Sequence, residues 1–361
     1  MTIISFPGLG IGEFTINPVA ISFGNIEIRW YALLIVTGMI FAVLYSAFRA
    51  KAEGIAFDTI LDFALVTLPM GIIGTRLFYV FFDWLDAMVN HQPNPYQSFL
   101  DVIAIWEGGL AIYGGIIFGT LAIFIVAKCK KMSAKTLLKI TDSVAPGVMI
   151  AQAIGRWGNF CNGEAYGTPT ALPWRMCSYK FAQRLYNLGL IDRDTALQML
   201  DGTLGVHPTF LYESLWNVIG FILINIFFKK KRFDGQIMLM YFTWYGFGRM
   251  FIELLRTDSL TNGGNIRVSS LIGLLSFIVS GSLLLYFFIK NKGNKPYRSN
   301  LVLATEEAAT ETEEAEETEE TEETNETTEN NENSENIEID ENQGNIKTTE
   351  SEEEENDGKI D

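Results

Sequence analysis

A short segment of the chain concentrates side chains that are suited to binding an anion. The stretch GRWGNFCNGEAYG, residues 155–167, contains Arg156, Asn159, Glu164 and Gly167. A guanidinium presents a planar fork of N–H donors that matches phosphate or carboxylate. Asn159 and Glu164 have two open roles, direct contact with a ligand or orientation of the arginine, and the glycines permit tight backbone geometry. Arg156 is therefore one of several arginines in the chain that are suited to an anionic group.

A second set of polar residues has the spacing of one helix face. Tyr245, Arg249, Glu253 and Arg256 follow one another at intervals of four, four and three residues, which places neighbours within reach of each other on a helix. Arg249 is predicted to bind phosphate because of its planar set of donors. Glu253 has two open roles, as a reacting group or as a structural ion-pair partner of the two arginines.

Further candidates stand near the ends of apolar runs. Arg76 interrupts one run, and Tyr113 lies among glycines near the start of another, where its hydroxyl needs a partner. His207 precedes Pro208 in HPTFLYESLWN, which indicates the start of a helix. Glu213 is the only charge in the run that follows, and capping or packing is its plain interpretation.

Seven apolar runs must position these residues: Trp30–Phe48, Phe63–Phe82, Gly108–Ala127, Ile140–Gly155, Phe210–Phe228, Gln236–Leu255 and Val268–Ile289. A bilayer core needs about 20 apolar residues per helix, so we expect an all-α polytopic membrane protein of about seven transmembrane helices. Residues 1–298 would form one catalytic domain. The longest outer segment, 156–206, predicts a small extracytoplasmic cap with a short helix in DRDTALQML. The stretch 155–167 is predicted to be the turn that leads into the cap.

Lysine and arginine in the short loops predict the orientation of the chain. They follow the first, third, fifth and seventh runs, whereas residues 1–28 and 83–103 contain none. The N terminus is therefore predicted outside and the C terminus in the cytoplasm. A charge inside a span costs about 2.5–3.5 kcal/mol and usually faces a cavity. Because Arg76, Glu213, Arg249 and Glu253 fall in the outer halves of their runs, we expect the intramembrane polar groups to gather at the outer leaflet and to form a site there.

The C-terminal segment differs in composition from the rest of the chain. Residues 301–361 contain 25 Asp and Glu against two Lys, and the remaining residues carry a net charge of +7. We expect 299–361 to be a disordered acidic cytoplasmic tail, because it has too few apolar residues to bury. Cys161 and Cys177 either pair as a disulfide or stay free thiols. The two histidines lie far apart, so no metal site is predicted.

Two other function classes compete with an enzyme. A transporter is expected to have polar groups at mid-membrane and an inverted repeat, but the sequence has no clear internal repeat and its polar residues lie toward one face. A non-enzymatic scaffold leaves several arginines within or beside spans unexplained. No nucleotide-binding motif is present, so neither a cofactor nor a nucleic-acid partner is expected.

The motifs together resemble one enzyme family, the prolipoprotein diacylglyceryl transferases. GRWGNFCNGEAYG resembles the signature of that family. Five further stretches match in family order, so that the resemblance covers roughly residues 20–290: IRWYAL, GTRLFYV, WEGGLAIYGG, HPTFLYE and WYGFGRMFIELLR.

The resemblance implies a reaction and a location. The family transfers the diacylglyceryl group of phosphatidylglycerol to the cysteine thiol of a prolipoprotein signal peptide, with a thioether as product and glycerol phosphate as leaving group. This is the first step of lipoprotein maturation, in the bacterial inner membrane.

The resemblance also implies roles for individual residues. Arg156 and Arg249 match the essential arginines, and Tyr113 stands where many members have histidine, so that either Tyr113 or Glu253 is expected to receive the thiol proton. The expected substrate-binding residues also include Tyr31, Arg76, Asn159, Glu164, Gly167, His207, Tyr245 and Arg256.

Overall fold

The computed structural model describes residues 1–24, 26–257 and 267–294. These residues belong to one compact unit, Met1–Leu303. The second unit, Ala304–Asp361, and the predicted acidic tail 299–361 lie outside the described residues. The domain boundary near residue 298 stays a prediction.

Long apolar helices dominate the described chain, and each predicted apolar run forms one of them. In chain order the helices are α1 (Trp30–Ala52), α2 (Phe57–Val89), α3 (Phe99–Ile103), α4 (Ile112–Cys129), α5 (Ala134–Asn162), α6 (Tyr179–Asn187), α7 (Arg193–Leu200), α8 (Thr209–Phe228), α9 (Gln236–Leu255) and α10 (Val268–Lys290). The predicted class, an all-α polytopic membrane protein, is confirmed.

Six of the described helices are long and apolar enough to cross a membrane: α1, α2, α4, α5, α8 and α10. Helix α9 is absent from that set, and it carries Arg249 and Glu253. It nevertheless packs against α5, α8 and α10, so it belongs to the same helix bundle. The number of spans and their orientation stay predictions.

The predicted turn over residues 155–167 is wrong for its first half. Helix α5 continues to Asn162 and ends at Gly163, which has a left-handed backbone with φ 64°. Gly155 and Gly158 do not break the helix, because they lie against α1. A Cβ added to Gly158 would lie 2.9 Å from the Tyr31 ring, so close helix packing accounts for this glycine.

Six short strands accompany the helices, and the sequence patterns did not predict them. Strands β1 (Thr2–Phe6) and β2 (Ile11–Ile16) pair, as do β3 (Val19–Phe23) with β4 (Ile26–Arg29) and β5 (Pro169–Thr170) with β6 (Gly205–Val206). All three pairs are antiparallel.

The predicted cap has its own core, and the N-terminal strand joins it. Ser5 of β1 pairs with Cys177, and Ile4 packs with Phe181, Leu185 and Val206. The short helix predicted in DRDTALQML is confirmed as α7. Cys161 and Cys177 are free thiols, so the alternative of a disulfide between them is not the one that the structure has. We name the end of the bundle beside this core the cap end.

A buried charge cluster lies away from the candidate site residues. The expectation that the intramembrane polar groups gather at the outer leaflet stays a prediction. Lys231 contacts Glu53 at 2.7 Å, Asp142 at 3.3 Å and Asp234 at 3.6 Å, and its side chain is fully buried. We name these four residues the lysine cluster. Its charges are tolerated in the interior because they are paired with one another.

Candidate active site

Two arginines and two glutamates from three helices form a connected group at the cap end. Arg156 of α5 contacts Glu213 of α8 at 2.6 Å. Arg249 of α9 contacts the other Glu213 oxygen at 3.0 Å and Glu253 at 2.6 Å. Arg256 extends the group, with its Nε 4.0 Å from Glu253. We name these five residues the arginine cluster.

Local packing explains why Arg156 and Glu213 meet. The Ser214 hydroxyl donates to the Ala153 carbonyl at 3.0 Å, and the Trp157 indole donates to the same hydroxyl at 3.2 Å. These bonds hold α5 against α8 one residue away from each member of the ion pair. The separation of 57 residues between Arg156 and Glu213 is therefore closed by direct helix contact.

The arginine cluster is accessible on its cationic side. The Arg156 and Arg249 side chains are 20% and 14% exposed, whereas those of Glu213 and Glu253 are 4% and 2% exposed. A guanidinium carries five N–H donors, and the contacts above engage only part of them. The cluster also has one more positive charge than negative charge. It can therefore accept a further anion with one negative charge.

Asn159 and Glu164 orient Arg156 from one side. The Asn159 side-chain oxygen accepts from Arg156 at 3.2 Å, while its amide donates to Glu164 at 3.1 Å. Glu164 also accepts from Asn162 at 3.1 Å. Of the two roles left open for Asn159 and Glu164, these contacts favour orientation of the arginine, because Glu164 acts on Arg156 through Asn159.

Gly167 joins the signature segment to the end of α9. Its N–H donates to the His207 carbonyl at 2.9 Å, and its backbone pairs with Arg256. A Cβ added at Gly167 would lie 2.7 Å from the His207 Cβ and 2.9 Å from the Leu255 carbonyl oxygen. The glycine is needed because three backbone segments meet there.

Three tyrosines lie around the arginine cluster. Tyr31 interacts electrostatically with Arg156 and Glu164, and Tyr245 with Arg156, Arg249, Glu213 and Glu253. Tyr113 of α4 interacts with Arg249, and its hydroxyl lies 3.2 Å from the Ser269 hydroxyl of α10. The predicted set Tyr31, Tyr113 and Tyr245 is thus brought together with the arginines.

Arg76 does not join the arginine cluster in the described contacts, because its guanidinium is bonded to backbone carbonyls. Its guanidinium donates to the carbonyls of Asp101, Val102 and Gly108 at 2.6, 2.9 and 2.7 Å, and the residue is only 6% exposed. These bonds hold the segment between α2 and α4 against α2. The predicted substrate contact of Arg76 is not supported by these partners, which indicate a structural role.

His207 also lies beside other groups. Its Nδ1 is 3.2 Å from the Tyr212 hydroxyl, which accepts from the Trp174 indole at 2.6 Å. Partial burial lowers the pKa of His207 below its ordinary value of 6.5. The described contacts place His207 next to Gly167, in one group with Trp174 and Tyr212 that we name the cap wall.

Sequence reasoning missed the central role of Glu213. Glu213 was expected among the outer-leaflet polar groups with a capping or packing role, yet it is the residue that joins Arg156 to Arg249. A signal was available, because a single acidic residue in an apolar run implies a buried cationic partner. Ser269 was also missed, and nothing in an isolated serine distinguishes it.

Comparison with known proteins supports the resemblance. The family model described as prolipoprotein diacylglyceryl transferase matches residues 18–286. A relative named phosphatidylglycerol–prolipoprotein diacylglyceryl transferase, from Streptococcus pyogenes serotype M5, is 40% identical over 282 residues, which are 78% of this chain and 97% of the relative. A relative of the same name from Streptococcus equi subsp. zooepidemicus is 41% identical over 267 residues, 73% of this chain and 93% of the relative.

Proposed function

The chain belongs to the prolipoprotein diacylglyceryl transferase family, whose reaction is the first step of lipoprotein maturation, and we propose that its arginine cluster is where that reaction takes place. The substrates are phosphatidylglycerol and the lipobox cysteine of a prolipoprotein. The observation that carries the proposal is the pair Arg156 and Arg249, joined by Glu213 and partly open to a ligand.

The reaction exchanges one bond for another. The cysteine sulfur attacks the glyceryl carbon that bears the phosphate, and a carbon–sulfur bond forms as the carbon–oxygen bond breaks. Glycerol phosphate leaves with the bonding electrons, and the thiol proton is released. A free thiol has a pKa of about 8.5 and needs activation. The positive charge of the arginine cluster favours the thiolate.

Arg156 and Arg249 bind the phosphate and stabilise the charge that it gains as it leaves. Donors that are already in place for such developing charge supply a large part of enzymatic rate enhancement. Glu213 keeps the two guanidinium groups side by side, which their mutual repulsion opposes. Asn159 and Glu164 orient Arg156, and the lipid bound at this position has its phosphate between α5 and α9.

The two predicted proton acceptors have different surroundings. Glu253 is paired with Arg249 at 2.6 Å, and this contact favours a role in positioning that arginine. Tyr113 interacts with Arg249 and has the Ser269 hydroxyl as a neighbour. A hydroxyl can receive a proton and pass its own to the next hydroxyl. We therefore assign to Tyr113 the relay of the thiol proton, with Ser269 as the neighbouring hydroxyl, and the leaving glycerol phosphate, which gains a negative charge, is the final acceptor of that proton.

The apolar helices make the chain a membrane protein, and its relatives are bacterial. The finer location proposed is the bacterial cell membrane, with the cap end outside and the C terminus in the cytoplasm. The loops rich in lysine and arginine support this orientation. A cysteine-accessibility assay checks the orientation on a variant with Tyr179→Cys, at the start of α6, in a chain whose three native cysteines are replaced by serine. Tyr179 is 65% exposed, so labelling by an impermeant thiol reagent in intact cells is expected, and labelling only after lysis contradicts the orientation.

The direct test of function uses the purified full chain. With phosphatidylglycerol vesicles and a lipobox peptide, the expected products are a thioether-lipidated peptide and free glycerol phosphate, in equal amounts. A folded protein that forms neither product contradicts the proposal and favours the transporter alternative.

A further inference from the structure

Helices α8 and α9 each carry a tryptophan four residues before a glycine. The pairs are Trp216–Gly220 and Trp244–Gly248. A spacing of four places both members of a pair on one helix face. The two pairs face each other, and their arrangement is reciprocal.

Each indole lies against the glycine of the opposite helix and bonds to the opposite tryptophan. The Trp216 Nε1 donates to the Trp244 carbonyl at 3.0 Å, and the Trp244 Nε1 donates to the Trp216 carbonyl at 2.9 Å. The rings stack with centroids 4.1 Å apart and an angle of 12° between their planes. We name this arrangement the indole pair.

Glycine is required on both sides of the indole pair. A Cβ at Gly248 would lie 2.1 Å from the Trp216 Nε1, and one at Gly220 would lie 2.4 Å from the Trp244 Nε1. A larger residue at either position would therefore displace an indole. Both donors reach backbone carbonyls, so the bonds depend on the axial position of one helix relative to the other.

The indole pair lies directly next to the arginine cluster along both helices. Glu213 precedes Trp216 by three residues, and Arg249 follows Gly248. Glu213 contacts Arg249 and Trp216 stacks on Trp244. Since Glu213 comes before its tryptophan and Arg249 after its own, these contacts show that the two helices run in opposite directions. Glu213 and Arg249 therefore lie on the same side of the indole pair, within about two helical turns of it.

We propose that Trp216 and Trp244 are positioning residues for the transfer reaction. The proposal rests on the proposed function of the arginine cluster. The indole pair fixes the position of α8 along the axis of α9, and this places the Glu213 carboxylate against Arg249. A helix rises 1.5 Å per residue. A slide of one residue is therefore enough to break the 3.0 Å contact of Glu213 with Arg249, while the apolar faces of the helices stay in contact.

The indole pair acts on the rate and leaves substrate binding nearly unchanged. A displacement of about 1 Å at reacting groups can cost about 100-fold in rate. Removal of one of the two bonds, by Trp216→Phe or Trp244→Phe, is expected to lower kcat about tenfold and to change KM less than about twofold. Phenylalanine keeps a stacked ring, so the packing of the two helices is retained.

The decisive measurement combines each substitution with Glu213→Asp in the full chain, assayed with phosphatidylglycerol vesicles and a lipobox peptide. Aspartate is too short to span both arginines and is expected to leave a measurable residual rate. In that background Trp216→Phe should lower kcat less than about twofold further, because residues that act through one another are not additive. A loss of stability alone would produce equal losses in both backgrounds. Trp106→Phe is the matched control, since Trp106 is 72% exposed, and it should leave kcat unchanged.

The outcomes separate this proposal from the proposed function. Full activity of Trp216→Phe and Trp244→Phe, or additive losses with Glu213→Asp, overturns the role of the indole pair. Wild-type activity of Arg249→Gln refutes the arginine cluster itself. If one tryptophan variant does not fold, the other decides, because each removes one of two equivalent bonds.

Discussion

The arginine cluster and the lysine cluster have ion pairs of similar length, but the arginine side chains of the first are partly exposed and the side chains at the centre of the second are buried. The closest contact is 2.6 Å in the first and 2.7 Å in the second. The Arg156 side chain is 20% exposed, whereas the Lys231 and Glu53 side chains are both fully buried. Both clusters bring distant parts of the chain together, so neither sequence distance nor ion-pair length distinguishes them.

Donor capacity explains the difference between the two clusters. An ammonium has three N–H donors, and Lys231 is shared by three carboxylates. Asp142 also accepts from the backbone N–H groups of Gly235 and Met238 at 2.8 and 3.0 Å, where α9 begins and its dipole favours a negative charge. The lysine cluster has an excess of negative charge and would repel an anion. The arginine cluster has an excess of positive charge and retains donors, so access and donor capacity, not buried charge alone, indicate the site.

The largest expected effect comes from breaking the lysine cluster. Lys231→Met leaves the two buried carboxylates of Glu53 and Asp142 without their cation, which should cost about 3–5 kcal/mol of stability. The rate per folded molecule should stay close to that of the wild type. Thermal unfolding in detergent and the transfer assay measure both quantities. Lys229→Met is the matched control, because Lys229 is exposed. A wild-type unfolding temperature for Lys231→Met would contradict the structural role of this cluster.

Breaking the arginine cluster should have the reverse effect. Arg249→Gln removes a donor that, by the proposed function, binds the leaving phosphate, and it is expected to lower kcat about 100- to 1,000-fold. Its unfolding temperature should change less than that of Lys231→Met, because Glu213 keeps Arg156 and Glu253 keeps Arg256 as a cationic partner. Arg193→Gln, on the exposed first turn of α7, is the control for loss of an arginine. Equal losses of activity per folded molecule for Arg249→Gln and Lys231→Met would remove the distinction between the clusters.

Tyr113→Phe tests how far the arginine cluster extends toward α4. Loss of the hydroxyl is expected to lower kcat about 100-fold, at the low end for a general acid–base group, and to alter the dependence of kcat on pH. Initial rates between pH 6 and 9 measure this. An unchanged rate and pH profile would exclude Tyr113 as the proton acceptor.

Asn159→Ala separates orientation of Arg156 from substrate contact. An orienting residue acts through the arginine, so kcat should fall about tenfold and should not fall further when Arg156→Lys is also present. Asn187→Ala, at the exposed end of α6, is the control. Independent losses for Asn159 and Arg156 would instead indicate that Asn159 contacts substrate directly.

The smallest effect concerns the cap wall, which belongs to neither cluster. Burial lowers the pKa of His207 in the folded protein, so below pH 6.5 the unfolded chain binds more protons than the folded chain. Stability should therefore fall as the pH decreases through 6.5 toward the folded pKa. His207→Gln should lose this part of the pH dependence. Unfolding temperatures of the wild type and of His207→Gln at pH 7.5 and 5.5 test this prediction. The same change of unfolding temperature with pH in both proteins would contradict it.

Much of the fold was predictable because the relevant signals are local. Apolar runs of about 20 residues predict membrane helices wherever they occur, and the ends of α8, α9 and α10 agree with the predicted runs within one residue. The candidate arginines were also predictable, since a charge in an apolar run is rare. The end of α5 was not, because the glycines at 155 and 158 suggest a turn in the sequence, whereas in the fold they lie within the helix and allow it to pack closely against α1.

The sequence by itself determined the class of the protein, its apolar helices, the family resemblance and which residues could bind phosphate. Only the tertiary structure decided that Glu213 joins Arg156 to Arg249, that Arg76 binds backbone carbonyls, and that Lys231 is buried between Glu53 and Asp142. The physical reason is that hydropathy and side-chain chemistry belong to single residues and short runs. Ion-pair partners, exposure and free donors depend on which distant helices pack together.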